Sequence, residues 1–198
     1  MPFDVRRATA ADRDAALDTI SRAFFADPVW SWVFADDDER REVYPRFWDF
    51  FLTAGFRNDS VELVNDGAAT TIWTPPGAPE LSDDEEAALV QFFRDTCGER
   101  IDVVLEAVGR IDRAHPKDEP HWYLGVVATH PDHAGRRLGV DLIAHRLCRV
   151  DEEHLPAYLE SSNPANFQRY RRLGFEPRDE FPLADDGPTL TTMWRTAR

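Results

Sequence analysis

The sequence predicts an α/β fold in which helices pack on a mixed β-sheet. A run rich in β-branched and aromatic residues at 121–129 predicts a mostly buried strand. Behind it, Leu138, Leu142 and Ile143 follow at spacings of three and four, which predicts a helix with one apolar face. Upstream, residues 65–67 (Asn-Asp-Gly) separate two alternating segments and predict a hairpin. Strand-like and helix-like segments therefore alternate along one chain.

The first sixty residues predict one short strand and two helices. Residues 3–7 form the strand, and Thr9 with Asp12 three residues later is typical of a capping box at the start of the first helix. Residues 36–57 begin with a run of charges and end with an aromatic stripe, which predicts the second helix. Pro45 is expected to begin that helix, with the charged run as its lead-in.

The middle of the chain predicts the hairpin and then a long helical region. Residues 60–64 and 68–76 alternate and supply the two strands of the hairpin. Residues 81–113 are acidic at the start and apolar afterwards, and we expect their helix to break near Gly98. Residues 113–120 form a linker that delivers the chain to the central strand.

The C-terminal part predicts two further helices and three strands. A helix is expected from Arg136 to about Asp151, and a strand at 156–161. A short helix follows, and Gly174 is placed to cap its C-terminus. Residues 176–181 and 189–196 are expected to pair as a final hairpin.

Length and composition predict one domain, residues 1–198, that is cytoplasmic and acts as a monomer or homodimer. The net charge of −14 argues against a nucleic-acid partner. No apolar run approaches ~18–20 residues and the N-terminus lacks the apolar stretch of a signal peptide, so we expect no membrane partner. Cys97 and Cys148 lack metal-ligand spacing, so we expect reduced cysteines and no metal.

The loop after the central strand is suited to bind a phosphate group. Pro131 ends the strand, and Gly135 lies in the short turn before the next helix. The first N–H groups of a helix are unpaired and its macrodipole is positive there, so such a loop can hold an anion. The alternative is an ordinary strand-to-helix connection, and the loop alone does not decide between them.

This loop resembles the acetyl-CoA loop of the GNAT acyltransferase superfamily, usually written Q/R-x-x-G-x-G/A. The matching residues are Ala134, Gly135, Arg136, Arg137, Leu138 and Gly139. Two of them depart from the pattern, because Ala134 stands where Gln or Arg is usual and Arg137 where Gly is usual. Glycine suits a position that needs positive φ or a close backbone approach, so the second departure concerns affinity for CoA more than the fold.

A second resemblance to the same superfamily lies downstream. An Asn four residues before a Tyr, followed by a Leu-Gly-Phe corner, is found here at Asn166, Tyr170, Leu173, Gly174 and Phe175. Helical spacing places Asn166 and Tyr170 on one face, one turn apart. Within the superfamily the sequence looks most like puromycin N-acetyltransferase and its relatives. That likeness covers the C-terminal half well and the N-terminal half only in outline.

The resemblance implies a GNAT-like mixed, mostly antiparallel sheet of about seven strands flanked by helices. It also implies that the fourth and fifth strands, 121–129 and 156–161, splay apart so that the pantetheine arm pairs with the fourth. Acetyl-CoA is then the co-substrate. Its implied contacts are Val126, Val127, Ala128, Thr129, Ala134, Gly135, Arg136, Arg137, Leu138, Gly139, Val140, Asn166 and Arg172. Arginines concentrate beside both motifs of this acidic chain, which favours phosphate contacts over a merely solvated face.

The resemblance further implies an N-acetyltransferase that acts by direct attack of a primary amine in a ternary complex. Tyr170 matches the general acid, since its ordinary pKa of ~10 keeps it protonated at neutral pH. The backbone N–H of Val127 is assigned to polarise the thioester. Glu160, at the end of the fifth strand, is the preferred general base, with a structural salt bridge as its alternative. Further candidates for the base are Asp27, Glu62 and His121.

The resemblance also implies that the acceptor, expected to be a small-molecule amine, is held by residues 24–34, an aromatic segment broken by Pro28. The candidate substrate residues are Phe25, Asp27, Trp30 and Trp32. Core packing is the alternative for each aromatic side chain. Two other functions stay open, namely a non-catalytic acyl-CoA-binding or regulatory module and an acetyltransferase acting on a protein amine.

Overall fold

The computed structural model describes residues 4–198, so Phe3 lies outside the described residues. The strands are β1 Val5–Arg7, β2 Val61–Val64, β3 Ala69–Thr74, β4 Trp122–Thr129, β5 Ala157–Ser161, β6 Glu176–Pro182 and β7 Thr189–Arg195. They form one seven-stranded sheet in the order β1-β2-β3-β4-β5-β7-β6. Only β4 and β5 pair in parallel; the other neighbours are antiparallel. The predicted mixed, mostly antiparallel α/β sheet is confirmed.

Helices cover both faces of this sheet. They are α1 Arg13–Ala23, α2 Pro28–Val33, α3 Asp37–Arg57, α4 Asp83–Thr96, α5 Ile101–Ala114, α6 Leu138–Glu152 and α7 Phe167–Arg172. The core that contains α1, α3, α4 and α5 also contains Ile72 and Val126, and we name this side of the sheet the α3 face. The core that contains α6 and Tyr170 of α7 also contains Trp73 and Leu124, and we name that side the α6 face.

The predicted element boundaries hold for the hairpins and for the long helical region. Residues 65–67 turn the chain between β2 and β3, with Gly67 at φ 105°. The break near Gly98 separates α4 from α5, and Gly98 has a φ of 52°. Gly174 has a φ of 94° and directly follows the last turn of α7, as a C-terminal cap requires.

The structure corrects the expected start of the second long helix. Helix α3 begins at Asp37 rather than at Pro45, which lies inside it. Asp36 caps the helix, because its carboxylate accepts hydrogen bonds from the N–H groups of Asp38 and Glu39 at 2.9 Å each. Acidic side chains in the first turn also suit the positive end of the helix dipole. The charged run is therefore the first turns of the helix and not its lead-in.

Helix α6 begins two residues later than the sequence predicts. Arg137 has a φ of 64°, in the left-handed region, so the helix starts at Leu138. Immediately inside the helix, a Cβ on Gly139 would lie 3.0 Å from Thr129 Oγ1 and 3.3 Å from Val127 Cγ2. The glycine therefore allows the start of α6 to approach β4 closely.

Strands β4 and β5 separate soon after they begin. Their paired residues are only Trp122 with Ala157 and Tyr123 with Tyr158. Beyond these pairs β5 continues with β7, and β4 continues with β3, so a gap opens between the two strands. Among residues 4–198 no helix is long and apolar enough to span a bilayer.

Candidate active site

A cavity of about 350 Å³ lies where β4 and β5 separate. It is lined from the α3 face by the end of α1 and the start of α2, and from the α6 face by the start of α7. The lining residues are Ala23, Phe24, Ala26, Asp27, Val29, Trp30, Ile111, Tyr123, Leu124, Gly125, Val127, Leu159, Glu160, Ser161, Ser162, Asn163, Asn166, Tyr170 and Leu190. The cavity therefore passes through the sheet and is accessible to groups on both faces.

Along β4, the backbone N–H group of every second residue points toward this gap. The N–H of His130 donates to the carbonyl of Ala68 at 3.0 Å. Hydrogen-bonded pairs alternate along an antiparallel ladder, so Ala128 and Val126 also bond to β3, whereas Thr129 and Val127 do not. Their N–H groups point away from β3, toward the side where β5 has left. The N–H of Val127 is therefore turned toward the cavity that its residue lines.

The structure thus divides the four predicted contacts on β4. Val126 and Ala128 bond to β3 and bury their side chains in the core of the α3 face. Val127 and Thr129 instead present their backbone to the gap and their side chains to Gly139 of α6. A β-bulge lies between these residues and Leu124, because the register with β3 shifts between Ile72 and Trp73. The bulge leaves Gly125 without a partner and places it at the cavity wall.

The loop that precedes α6 is suited to hold an anion. The N–H of Asp141 bonds to Arg137, so the preceding N–H groups of Leu138, Gly139 and Val140 are the unpaired first turn of the helix. Within the described part of the chain, no side chain caps this end. The loop residues Ala134, Gly135, Arg136 and Arg137 are all exposed. Arg136 lies 3.4 Å from the ring of His133 and leaves its other nitrogens free to reach a ligand.

Tyr170 reaches the cavity from the α6 face. Its side chain packs with Phe175, at a centroid distance of 6.3 Å, and only 8% of the residue is exposed. Burial raises the pKa of Tyr170 to about 12, and the negative charge of Asp27 adds to this rise while Arg169 opposes it. The phenol is therefore protonated at neutral pH and can donate a proton.

Asn166 and Arg172 flank Tyr170 on the same helical segment. Asn166 lines the cavity and its side-chain oxygen accepts a hydrogen bond of 2.7 Å from Arg169. It ends the turn before α7 instead of lying within the helix, yet it remains next to Tyr170 at the cavity. Arg172 is exposed at the end of α7 and does not line the cavity.

Glu160 reaches the cavity from the opposite face. Because neighbouring strand residues alternate, Leu159 contributes to the core of the α6 face with Tyr170, and Glu160 points to the α3 face. Its side chain is 7% exposed, and Oε1 lies 3.7 Å from Nδ1 of His115. This oxygen has no hydrogen-bond partner among residues 4–198, and no arginine there pairs with it. The alternative of a structural salt bridge with arginine is therefore wrong for these residues.

Of the four candidate substrate residues, Asp27 and Trp30 line the cavity. Asp27 caps α2, because its carboxylate accepts hydrogen bonds from the N–H groups of Val29 and Trp30 at 3.0 and 3.2 Å. It also accepts a hydrogen bond from the hydroxyl of Ser162, which ties α2 to the end of β5. Burial raises the pKa of Asp27, although these hydrogen bonds oppose the shift.

Phe25 and Trp32 do not line the cavity. Phe25 is covered by the guanidinium groups of Arg40 and Arg41, at 4.7 and 5.4 Å from its ring centroid. Arg100 covers the ring of Trp32 at 4.7 Å. Both rings pack against the core of the α3 face. Within α2, Trp30 is turned toward the cavity and Trp32 away from it.

The other candidates for the base are located elsewhere. Glu62 forms a buried ion pair with Arg146 at 2.8 Å and does not line the cavity. His121 contacts the carbonyl of Glu119 at 2.6 Å and the ring of His115 at 3.2 Å, also outside the cavity wall. Sequence reasoning missed Tyr123 and Ser162, which do line it. Strand alternation could have indicated Tyr123, whereas nothing in the sequence pairs Ser162 with Asp27.

Comparison with known proteins extends these observations. The model of the Acetyltransferase (GNAT) family matches residues 65–175, which is more than half of the chain and includes β4, α6 and Tyr170. An uncharacterized N-acetyltransferase of Schizosaccharomyces pombe, C550.08, is 26% identical over 198 residues, with 91% of this chain and 77% of that protein covered.

Solved structures agree in fold. A protein of Corynebacterium glutamicum, described as histone acetyltransferase HPA2 and related acetyltransferase, superposes with a TM-score of 0.75 and 25% identity, covering 100% of this chain and 98% of that one. The polyamine N-acetyltransferase of Drosophila melanogaster superposes with a TM-score of 0.66 and 13% identity, covering 98% of this chain and 99% of that one. The second likeness concerns the fold alone.

Proposed function

The chain belongs to the acetyltransferase (GNAT) family, and from this premise we propose that it transfers an acetyl group from acetyl-CoA to the primary amine of a small molecule. The observation that carries the proposal is the cavity between β4 and β5, which has Tyr170 on one face and Glu160 on the other. Transfer from a thioester to an ammonium needs a proton acceptor near the nitrogen and a proton donor near the sulfur. In this arrangement Glu160 would accept the proton from the nitrogen, and Tyr170 would donate a proton to the sulfur.

The residues beside the gap fit acetyl-CoA, which supplies an acetyl group activated as a thioester. The unpaired N–H groups of Leu138, Gly139 and Val140 would hold the pyrophosphate, helped by the side chain of the exposed Arg136 and by the backbone at Arg137. Gly139 allows this helix end to approach β4 closely, so the phosphates and the gap are adjacent. The free backbone of Val127 and Thr129 would pair with the pantetheine arm. Asn166 and Arg172 are proposed to contact the same ligand from α7.

The chain's own groups then perform the proton transfers. Glu160 takes the first proton from the acceptor ammonium and passes it to water, which leaves a lone pair on nitrogen to attack the thioester carbon. The N–H of Val127 donates to the carbonyl oxygen as negative charge develops there. Tyr170 gives its proton to sulfur as the C–S bond breaks, and the nitrogen's second proton restores the phenol. The products are the amide, free thiol and one proton.

The cavity lining favours a cationic amine with an apolar or aromatic body. Asp27 and Glu160 are its two acidic side chains, and no Arg or Lys is among the lining residues. Phe24 and Trp30 offer aromatic surface beside them. Because the two sequence motifs look most like those of puromycin N-acetyltransferase and its relatives, we include puromycin among the proposed acceptors. We propose a cytoplasmic monomer or homodimer without nucleic-acid or membrane partners.

A non-catalytic acyl-CoA-binding or regulatory module is the second candidate. It is favoured by the loop at Ala134 and Arg137, where the usual residues are absent and Arg137 adopts a left-handed φ of 64°. This module would bind CoA and release no thiol. The presence of Tyr170 and Glu160 at opposite walls of one cavity favours the enzyme.

A thiol-release assay with acetyl-CoA tests the proposed function. The panel contains puromycin, an aliphatic diamine, an arylalkylamine and a lysine-containing peptide. We expect amine-dependent thiol release with at least one small amine and a lower kcat/KM with the peptide. Binding of CoA without release for any amine would support the regulatory module, and preference for the peptide would support a protein acceptor.

A further inference from the structure

One acidic side chain beside the cavity has no role in the proposed mechanism. Glu80 lies in the loop between β3 and α4, and its side chain reaches the bulge of β4 at Gly125. Glu80 Oε1 lies 3.0 Å from the position that a Cβ on Gly125 would occupy. Gly125 lines the cavity. The carboxyl group of Glu80 therefore fills the space that a side chain at position 125 would take.

The surroundings of Glu80 are acidic and phenolic. Tyr123 Cε1 lies 3.4 Å from the same Cβ position, so this ring is beside the Glu80 carboxyl group. The pKa of Tyr123 is raised well above its ordinary value, by burial and by the charges of both Glu160 and Glu80. No arginine or lysine pairs with Glu80 among residues 4–198. The titratable groups that face this cluster are Glu86, Asp112, His115, His121, Tyr123, Tyr158 and Glu160.

We propose that Glu80 and Glu160 form a carboxyl pair in which Glu160 accepts the proton of the acceptor ammonium and Glu80 stores it. This inference rests on the proposed function, and Glu80 is a positioning residue because it acts through Glu160. In the transfer, one N–H bond of the ammonium breaks, its electron pair stays on nitrogen, and the proton becomes bound to a carboxylate oxygen. Tyr123 is a neighbour of both carboxyl groups, because its ring lies beside that of Glu80 and it lines the same cavity as Glu160. The proton later leaves to water.

The second carboxyl group raises the proton affinity of the pair above that of a single glutamate. Burial raises the pKa of Glu80 to about 8, and the charges of Glu160, Glu86 and Asp112 add to the shift. An ordinary glutamate has a pKa of ~4.3, about six units below the ~10.4 of a lysine-like ammonium. A pair whose upper apparent pKa is near 8 reduces this mismatch to between two and three units. The pair is therefore the better matched acceptor.

A carboxyl titration by ¹³C NMR on the free protein tests the pair without any substrate. We expect one glutamate signal with a midpoint near pH 8 that disappears in Glu80→Gln. In Glu160→Gln this midpoint should move down, because a repelling negative charge has been removed. The exposed Glu152 of α6 supplies the control, and Glu152→Gln should leave the midpoint in place. A Glu80 midpoint below about 6, or one that ignores Glu160→Gln, would overturn the proposal.

The pH profile of kcat/KM for the acceptor tests the role in transfer. The wild-type acidic limb should lie near pH 8, and in Glu80→Gln it should move to lower pH while the maximum falls about tenfold. Glu80→Asp should keep the acidic limb near pH 8. The KM for acetyl-CoA should be the same in all variants. An unchanged profile in a folded Glu80→Gln enzyme would overturn the role. Inactivity of the wild type with every amine would overturn the proposed function and the transfer step with it, while the NMR midpoint still decides whether the pair exists.

Discussion

At the scale of single residues, the ionisable groups of the cavity are separated by the faces of the sheet. Alternation along β5 directs Leu159 toward Tyr170 and Glu160 toward the α3 face. Burial raises the pKa of both groups, to about 12 for Tyr170 and to about 8 for Glu80. Between about pH 8 and about pH 12 the phenol of Tyr170 is therefore protonated while the carboxylate of Glu80 is ionised, so a proton donor and a proton acceptor coexist in one site.

Replacing Arg137 by glycine tests whether this unusual loop residue weakens the binding of acetyl-CoA. Arg137 adopts a φ of 64°, which costs a non-glycine residue about 1 kcal/mol. Arg137→Gly should therefore leave the Kd for acetyl-CoA unchanged or lower it, as measured by calorimetry. Arg137→Ala is the control, because it removes the guanidinium and keeps the strain. If Arg137→Gly weakens binding several-fold, the guanidinium itself is a phosphate ligand.

The raised pKa of Glu80 also makes a prediction about stability. The folded protein binds this proton up to a pH of about 8, whereas the unfolded chain loses it near the ordinary value of ~4.3. Between these values the folded state holds more protons, so the contribution of Glu80 to stability decreases as pH rises. Denaturant unfolding should show that the stability of wild type relative to Glu80→Gln falls from pH 5 to pH 8. A difference independent of pH would contradict the assigned shift.

The sequence was enough to predict some residues of the cavity but not others, and the reason is physical. Asp27 and Trp30 belong to an aromatic segment that the family resemblance assigned to the acceptor pocket, but neither resemblance nor composition tells which rings the short helix α2 directs inward. Trp32 therefore looked equivalent to Trp30, although it packs under Arg100. Glu80 gave no signal at all, because only the folded structure brings its side chain to Gly125 at the cavity wall.

At the scale of elements, the start of α6 and the gap beside β4 form one structural unit. Hydrophobic periodicity was enough to predict both elements, since α6 buries Leu138, Leu142 and Ile143 on one side. Periodicity does not report strand separation, which depends on where β5 leaves β4 for β7. Nor did it reveal that the charged run before Pro45 is helical, because this run has no apolar periodicity and its start is set by the cap at Asp36.

A glycine-to-alanine change tests the close contact between these two elements. A Cβ at Gly139 would lie 3.0 Å from Thr129 Oγ1 and 3.3 Å from Val127 Cγ2, so α6 must move away from β4. Gly139→Ala should reduce the free energy of unfolding by about 1–2 kcal/mol and raise the Kd for acetyl-CoA. Gly109→Ala in α5 is the matched control.

The control should behave in the opposite way. A Cβ at Gly109 would meet only the flexible guanidinium of Arg113, at 3.1 Å. Removing a glycine from a helix interior stabilises it by about 0.5–1 kcal/mol, so Gly109→Ala should gain stability and keep acetyl-CoA affinity. Equal stability changes in the two variants would show that the contact between α6 and β4 is not close.

At the scale of the whole molecule, an acidic chain must bind a polyanionic co-substrate. The net charge is −14, yet exposed arginines are located around the loop before α6 and along α7. The long-range field of the protein therefore repels CoA while the local groups attract it. The same negative field, and the cavity that lacks Arg and Lys in its lining, attract a cationic amine.

Salt dependence measures the balance between local attraction and overall repulsion. If phosphate contacts dominate, raising NaCl from about 50 to 500 mM should increase the Kd for acetyl-CoA, because screening weakens exposed ion pairs. Arg136→Ala should flatten this dependence. Arg94→Ala on the exposed side of α4 should not. A Kd that decreases with salt would mean that repulsion by the acidic surface dominates.

The most direct test of the whole account is the turnover of Tyr170→Phe with an active amine, under conditions where chemistry limits the rate. The change removes only the hydroxyl group from a ring that is 8% exposed. Tyr44→Phe is the matched control, since this buried phenol of α3 donates to the carbonyl of Phe24 at 3.3 Å and does not itself line the cavity. We expect kcat to fall by about 10²–10⁴ in Tyr170→Phe alone, with an unchanged Kd for acetyl-CoA and an unchanged thermal melt. Wild-type turnover in a folded Tyr170→Phe protein would contradict it.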